Sequence, residues 1–344
     1  LKTLILFAKS EKSKISPKVL KNWINAFINE INKPAQKDYS IIYSALSELL
    51  LVYPDLITTN SLSIVDSILK TQSFNQKTQN KQQQIIIQSM LELFNTIITG
   101  TVKTNEITPL ICQILIPLIN QNTVLQPLLY TSTLLFSKAT ADSIKPITAL
   151  NKKIIEISKT ECAHKIYAID PLSVYVCLFS KTDKACASES VSAILNLEHQ
   201  GLSFHKNALS AIALIASSPS HSIISSVSKK VFAIIQKHIS SPSIDPALLY
   251  RSLWAFNSCL QGESLFAPKE CESIVPIISK YILFNDNRIK SIVITILRNL
   301  SSLESVSTNL IPHLSELFIS KDILTYQIIE GISEIFAKVK EEKL

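Results

Sequence analysis

Glu272 to Ser302, ESIVPIISKYILFNDNRIKSIVITILRNLSS, reads as two antiparallel helices joined by a turn. Ile274, Val275, Ile277, Ile278, Tyr281, Ile282 and Leu283 recur at the spacing of a helix with a broad buried face. Pro276 lies within this run. Proline lacks an amide donor and clashes with the preceding turn, so the helix is expected to bend or begin near that residue. Asn285, Asp286 and Asn287 then break the pattern, and Asp286 is placed to accept from the first free amides of the next helix. The second helix carries Ile289, Ile292, Val293, Ile296, Leu297 and Leu300 on one side, with Arg288, Lys290 and Arg298 expected on the polar side.

The same plan returns downstream. Pro312 and Asp322 follow Pro276 and Asp286 by the same 36 residues. At that offset Ile278 matches Leu314, Leu283 matches Ile319, Val293 matches Ile329, Ile296 matches Ile332 and Leu300 matches Phe336. Upstream, Ile169-Asp170-Pro171 and Ile244-Asp245-Pro246 each set a capping aspartate before a proline at the first helical position. Second helices are therefore expected to start near Asp38, Lys81, Pro127, Asp170, His205, Asp245, Asp286 and Asp322. The mean step, about 41 residues, suits a helical-hairpin solenoid with repeats of roughly 40 to 47 residues and exceeds the 34 of tetratricopeptide repeats. The expected fold is all-α, a right-handed α-solenoid of about eight hairpins, with residues 1–344 forming a single array. Leu1 is not an initiator methionine and Thr3 to Ala8 reads as the end of a helix, so the sequence is expected to be an excerpt of a longer solenoid.

Along the chain, Pro17 opens a helix with Leu20, Trp23, Ile24, Phe27 and Ile31 on one face. The tract TQSFNQKTQNKQQQ from Thr71 to Gln84 cannot bury a face and reads as a loop leading into a solvated helix start. Ser158 to Ala168 reads as irregular, and Val191 to Leu197 with Leu209 to Ala216 as the shortest hairpin.

Composition narrows the function. The four glycines, Gly100, Gly201, Gly262 and Gly331, are scattered, so no contiguous phosphate-cradling loop exists, and the glycine usually placed between armadillo helices is scarce. The net charge of +7, from 34 basic and 27 acidic residues, is mild for the length. Arginine is confined to Arg251, Arg288 and Arg298, which argues against base-specific nucleic-acid reading. Cys112, Cys162, Cys177, Cys186, Cys259 and Cys271 lack the paired short spacing of a structural zinc site and read as buried small apolar residues in a reducing compartment. Cys162 and His164 are the nearest approach to a metal pair, and two ligands alone are weak. The six histidines lie in no catalytic motif and read as surface or boundary residues. No apolar run is long enough for a membrane span. Catalysis is not expected, because a solenoid spreads its polar groups along a ramp. No cofactor, metal or small-molecule substrate is expected.

The densest positive patch is Lys9, Lys12, Lys14, Lys18 and Lys21, on a connector and the helix after it. A solvated face explains it adequately. Its functional reading is contact with an acidic surface such as ribosomal RNA or an acidic protein.

The unit IVPIISKYILFNDNRIKSIVITILRNL resembles a HEAT repeat. The resemblance assigns Pro276 and Pro312 to first helices and Asp286 and Asp322 to turns. It sets Lys290 as the basic residue that joins Asp286 in a ladder between repeats. The opening LILFAKSEKSKISPKVLKNWINAFINEINKPAQKDYSIIYSALSELL further resembles the N-terminal region of the ribosome-associated HEAT-repeat activators of the initiation-factor-two alpha kinase of general amino-acid control. That resemblance implies a cytoplasmic, non-enzymatic scaffold for a large protein or ribonucleoprotein partner: the ribosome and an associated ATP-binding-cassette protein. A nuclear transport receptor or vesicle-coat adaptor of the same architecture is the alternative, though the weakly basic charge disfavours it.

Overall fold

The computed structural model describes residues 6–7, 9–10, 15–33, 39–71, 81–102, 104–119, 124–241, 245–262, 264–319 and 326–341. Seventeen α-helices and no strand occur among the described residues. In order they are α1 (Pro17–Ile31), α2 (Tyr39–Val52), α3 (Asp55–Thr71), α4 (Lys81–Gly100), α5 (Thr104–Leu118) and α6 (Leu125–Lys138). There follow α7 (Ile144–Ser158), α8 (Ile169–Phe179), α9 (Lys184–Leu197), α10 (Leu202–Ala216), the short α11 (His221–Ser225) and α12 (Ser228–Ile239). The last five are α13 (Pro246–Leu260), α14 (Pro268–Lys280), α15 (Asn287–Asn299), α16 (Glu304–Ile319) and α17 (Tyr326–Glu341). With α11 as an extra turn before α12, they pair into eight hairpins.

The chain divides into two compact units, Leu1–Ser190 and Val191–Leu344. Within the first unit the first helices α1, α3, α5 and α7 pack in one row, and the second helices α2, α4, α6 and α8 in another. Within the second unit α12, α14 and α16 form the first row, and α10, α13, α15 and α17 the second. The helices of these rows therefore meet the corresponding helices of adjacent repeats within their unit, and α1–α2, α3–α4, α5–α6, α7–α8, α12–α13, α14–α15 and α16–α17 also pack as hairpin partners, the α-solenoid plan. The core lies between the rows, filled by fully buried side chains such as Leu46, Phe94, Phe136, Tyr175, Phe256 and Val293.

Caps match the sequence in two hairpins. The Asp286 carboxylate accepts from Arg288 N at 2.8 Å, and Asp245 from Leu248 N at 2.9 Å with Pro246 opening α13. Expected second-helix starts at Lys81, Pro127, Asp170, His205, Asp245 and Asp286 each fall within three residues of an observed one. Asp38 and Asp322 lie outside the described residues, as do residues 72–80 of the polar tract.

Other expectations need correction. Helix α14 starts at Pro268, well before Pro276, because Glu270 folds back to accept from Ala267 N at 2.8 Å and fixes the earlier start. Pro276 and Pro312 both sit inside their helices. Asp170 caps nothing: a 3-10 turn, Ala163–Ala168, runs directly into α8 and leaves Asp170 in its first turn. Helix α9 begins at Lys184, seven residues before the expected Val191, because Asp183 Oδ1 accepts from Cys186 N at 3.1 Å.

Lys290 is not on a polar side; it is 2% exposed and belongs to the buried set of α15, its long aliphatic stem suited to packing. The 36-residue offset also fails in part. Ile329 is 45% exposed although its proposed equivalent Val293 is fully buried. The first residues of α15 and α17 stand 39 apart, because α16 is 16 residues long where α14 has 13.

Candidate functional site

A second helix in this plan has one side committed to the core and its hairpin partner, and another left to solvent. On α2 and α4 the buried sets superpose at an offset of 44 residues: Tyr43 with Ile87, Leu46 with Met90, Leu49 with Leu93, Leu50 with Phe94. At that same offset the exposed side repeats as well. Ile41 corresponds to Ile85, 49% and 50% exposed, and Glu48 corresponds to Glu92, both exposed. Tyr130 on α6 adds an aromatic ring that is 58% exposed.

The bias extends along both units. Twelve exposed large apolar side chains lie in the numbered helices among the described residues. Nine belong to second helices: Ile41, Leu51, Ile85, Tyr130, Leu178, Leu202, Leu214, Tyr250 and Ile329. Only Val19, Leu62 and Ile311 sit on first helices. Such residues cost solvation free energy when exposed, so their concentration on the second helices marks, within each unit, a surface suited to apolar contact.

The expected lysine patch is only partly gathered. Lys12 and Lys14 lie outside the described residues. Lys18 and Lys21 are exposed at successive turns of α1. Lys9 turns to Glu48 of α2 at 2.9 Å, which ties its charge to the second-helix row.

Two polar clusters went unread in the sequence. In the first unit the Tyr175 hydroxyl donates to Asp183 Oδ2 at 2.8 Å, and Thr148 Oγ1 donates to the same oxygen at 2.9 Å. Burial opposes ionisation of Asp183, but these bonds and the Cys186 amide outweigh it and hold its carboxyl below the usual range. Nearby, Asn151 Nδ2 donates to Ser190 Oγ at 2.8 Å. These bonds join α7 to the segment after α8 and have a structural use.

In the second unit Glu198 is fully buried in a 3-10 turn, Glu198–Gln200. Its Oε1 lies 2.6 Å from Nε2 of His238 and 2.8 Å from Nδ1 of His205; its Oε2 lies 2.9 Å from Nδ1 of the exposed His199. Gly201, at a φ of 134°, makes the turn that carries the chain from Glu198 into α10, where His205 stands on the first turn. His238 stands on the last turn of α12 and is 6% exposed, so it is no surface residue. Burial works against ionisation of Glu198, yet the His238 hydrogen bond and the charges of His238, His205 and His199 hold its carboxyl below the usual range. A sequence signal existed only in retrospect: three histidines at 199, 205 and 238 around one glutamate, the last a repeat length away.

No helix among the described residues is long and apolar enough to cross a membrane. No family model matches the chain, and no curated protein matches it either. Solved structures do. An engineered protein from the Northeast Structural Genomics Consortium superposes with a TM-score of 0.58 at 15% identity, over 98% of this chain and 83% of that one. A designed armadillo repeat protein in complex with the peptide (KR)4 gives a TM-score of 0.52 at 14% identity, over 67% of this chain and 98% of that one. A computationally designed armadillo repeat protein for modular peptide recognition gives 0.51 at 13%, over 67% and 98%. At these identities the likeness establishes the helical-repeat fold.

Proposed function

We propose that the chain is a non-enzymatic scaffold that holds a protein segment along the exposed side of its second helices. The observation that carries this reading is the concentration of exposed apolar side chains on that row, with Ile41/Glu48 repeated as Ile85/Glu92. Apolar anchors beside carboxylates at one-repeat spacing suit an extended segment that offers apolar and basic residues in alternation. The designed neighbour solved with (KR)4 lends support, as a protein of this fold that binds a basic peptide.

A peptide-display library selected on the immobilised chain tests the reading. Enriched peptides are expected to combine basic and apolar residues and to lose at least tenfold in affinity for the Ile41→Ser/Ile85→Ser variant. Enrichment indifferent to that variant would move the surface elsewhere.

The finer proposal is that the large partner is the ribosome, in the cytoplasm, with the chain part of an activator of a stress-responsive initiation-factor kinase and next to an ATP-binding-cassette protein. Its support is the sequence resemblance of the opening segment and the exposed Lys18 and Lys21. Co-sedimentation with purified ribosomes across about 50 to 200 mM salt is the test. Exchange of Lys9, Lys12, Lys14, Lys18 and Lys21 for glutamine should weaken binding and flatten its salt dependence. Unchanged affinity would return these lysines to a solvated face.

A further inference from the structure

The Glu198, His205 and His238 cluster is a different kind of feature from the second-helix surface, and its chemistry is that of a ligand set. Among the described residues it is the one place where three potential metal-binding side chains converge, their ligand atoms all within 4.8 Å of one another. The His205 and His238 ring centroids are 4.7 Å apart.

Two atoms of the cluster lack hydrogen bonds. Glu198 Oε2 and His205 Nδ1 are buried and make none of acceptable geometry, even though His205 Nδ1 sits 2.8 Å from Glu198 Oε1. A nitrogen that close to a carboxylate without a well-aimed proton between them leaves polar capacity that burial makes costly. A cation between them would use both. We propose that Glu198, His205 and His238 bind one divalent transition-metal ion of the zinc class, with the carboxylate and two imidazole nitrogens as ligands.

The donor set supports that class. Two imidazoles and one carboxylate make a familiar three-ligand arrangement for zinc, and imidazole favours transition metals over calcium or magnesium. Tetrahedral ligation at about 2.0 to 2.1 Å separates ligand atoms by about 3.3 Å. The present spacings of 2.6 and 2.8 Å would open by about 0.5 to 0.7 Å, within the reach of side-chain rotation.

Surroundings also favour a cation. Glu198 brings a negative charge to a position with no solvent exposure of its own, and His238 stands at the carbonyl end of α12, the negative pole of that helix. The His205 side chain, 19% exposed, gives an ion a way in. The ion would clip the 3-10 turn, the start of α10 and the end of α12 together, a structural use within the second unit.

The test uses the full chain, stripped with a chelator and titrated with Co2+ and Zn2+. One Co2+ per chain at low-micromolar concentration is expected, with visible bands of tetrahedral intensity and no thiolate charge-transfer band. Glu198→Gln and His238→Gln, checked for fold by circular dichroism, should each weaken binding at least tenfold. On the unsubstituted chain, Zn2+ should protect His205 from carbethoxylation, with His164 and His221 as unprotected references. No stoichiometric binding, a thiolate band that places the ion on cysteines, or full labelling of His205 with Zn2+ present would each overturn the proposal.

Discussion

Nη1 of Arg251 donates to Oγ of Ser210 at 2.6 Å, joining α13 to α10 across 41 residues of sequence. The same nitrogen donates to the Lys206 carbonyl at 3.1 Å, and Lys206 Nζ in turn reaches Asp245 Oδ1 at 2.9 Å. One arginine therefore ties together two adjacent second helices and the cap of the later one. Arg251→Met keeps much of the stem and removes both bonds, so it should cost about 1 to 3 kcal/mol in urea unfolding of the second unit. A loss within error of zero would mean that water replaces the guanidinium at no cost.

Val293→Asp tests the inner side of α15. The residue is fully buried, and a carboxylate there has no partner, so a loss of several kcal/mol is expected, about 3 to 5. A melting temperature equal to that of the parent chain would show that this side is not core.

Gly331 on α17 lies against Ile294 of α15, and a methyl group at that position would overlap the Ile294 side chain. Gly331→Ala should therefore destabilise by about 1 to 3 kcal/mol despite the better helix propensity of alanine. In an Ile294→Ala background, which removes the obstructing Cγ2, the cost of Gly331→Ala should shrink. Strict additivity of the two in thermal melts would argue against the close approach.

Burial pushes the Cys112 and Cys259 thiols up to about 12. At pH 8 the thiolate fraction is then about one in ten thousand, against roughly a quarter for an ordinary cysteine. Alkylation followed by mass spectrometry should modify the half-buried Cys162 and Cys177 first and reach Cys112 and Cys259 only on unfolding. The sign for stability follows. Both thiols stay protonated when folded, so their contribution is complete below about pH 8.5 and is lost as pH rises through about 12.

The hairpin plan was legible because it is written in local signals. Pro17, Asp245-Pro246 and Asp286 are punctuation that acts within one turn of chain, and the structure uses all three as read. What escaped the sequence depends on contacts a repeat length apart. Lys290 looks polar on a helical wheel, and only its neighbours on other helices decide that it is buried. His238 and Glu198 are 40 residues apart, and nothing local marks them as partners at 2.6 Å. The exposed isoleucines were invisible for the opposite reason. A sequence reading places every periodic isoleucine in the core, whereas Ile41 and Ile85 fall just beyond its edge.

Within each unit the rows are held from one repeat to the next, by packing and by bonds such as that between Ser47 Oγ and Thr96 Oγ1 at 2.7 Å and that from Asn299 Nδ2 to Asn257 Oδ1 at 3.1 Å. Such a chain has a mechanical signature. Pulled from its ends, it should yield repeat by repeat, each rupture breaking one interface and releasing about 41 residues of slack. At about 3.5 Å of extended length per residue, that is a step of roughly 140 Å. A force trace would thus be a series of modest, evenly spaced teeth, and a tooth higher than its neighbours would locate the stiffest joint in the array.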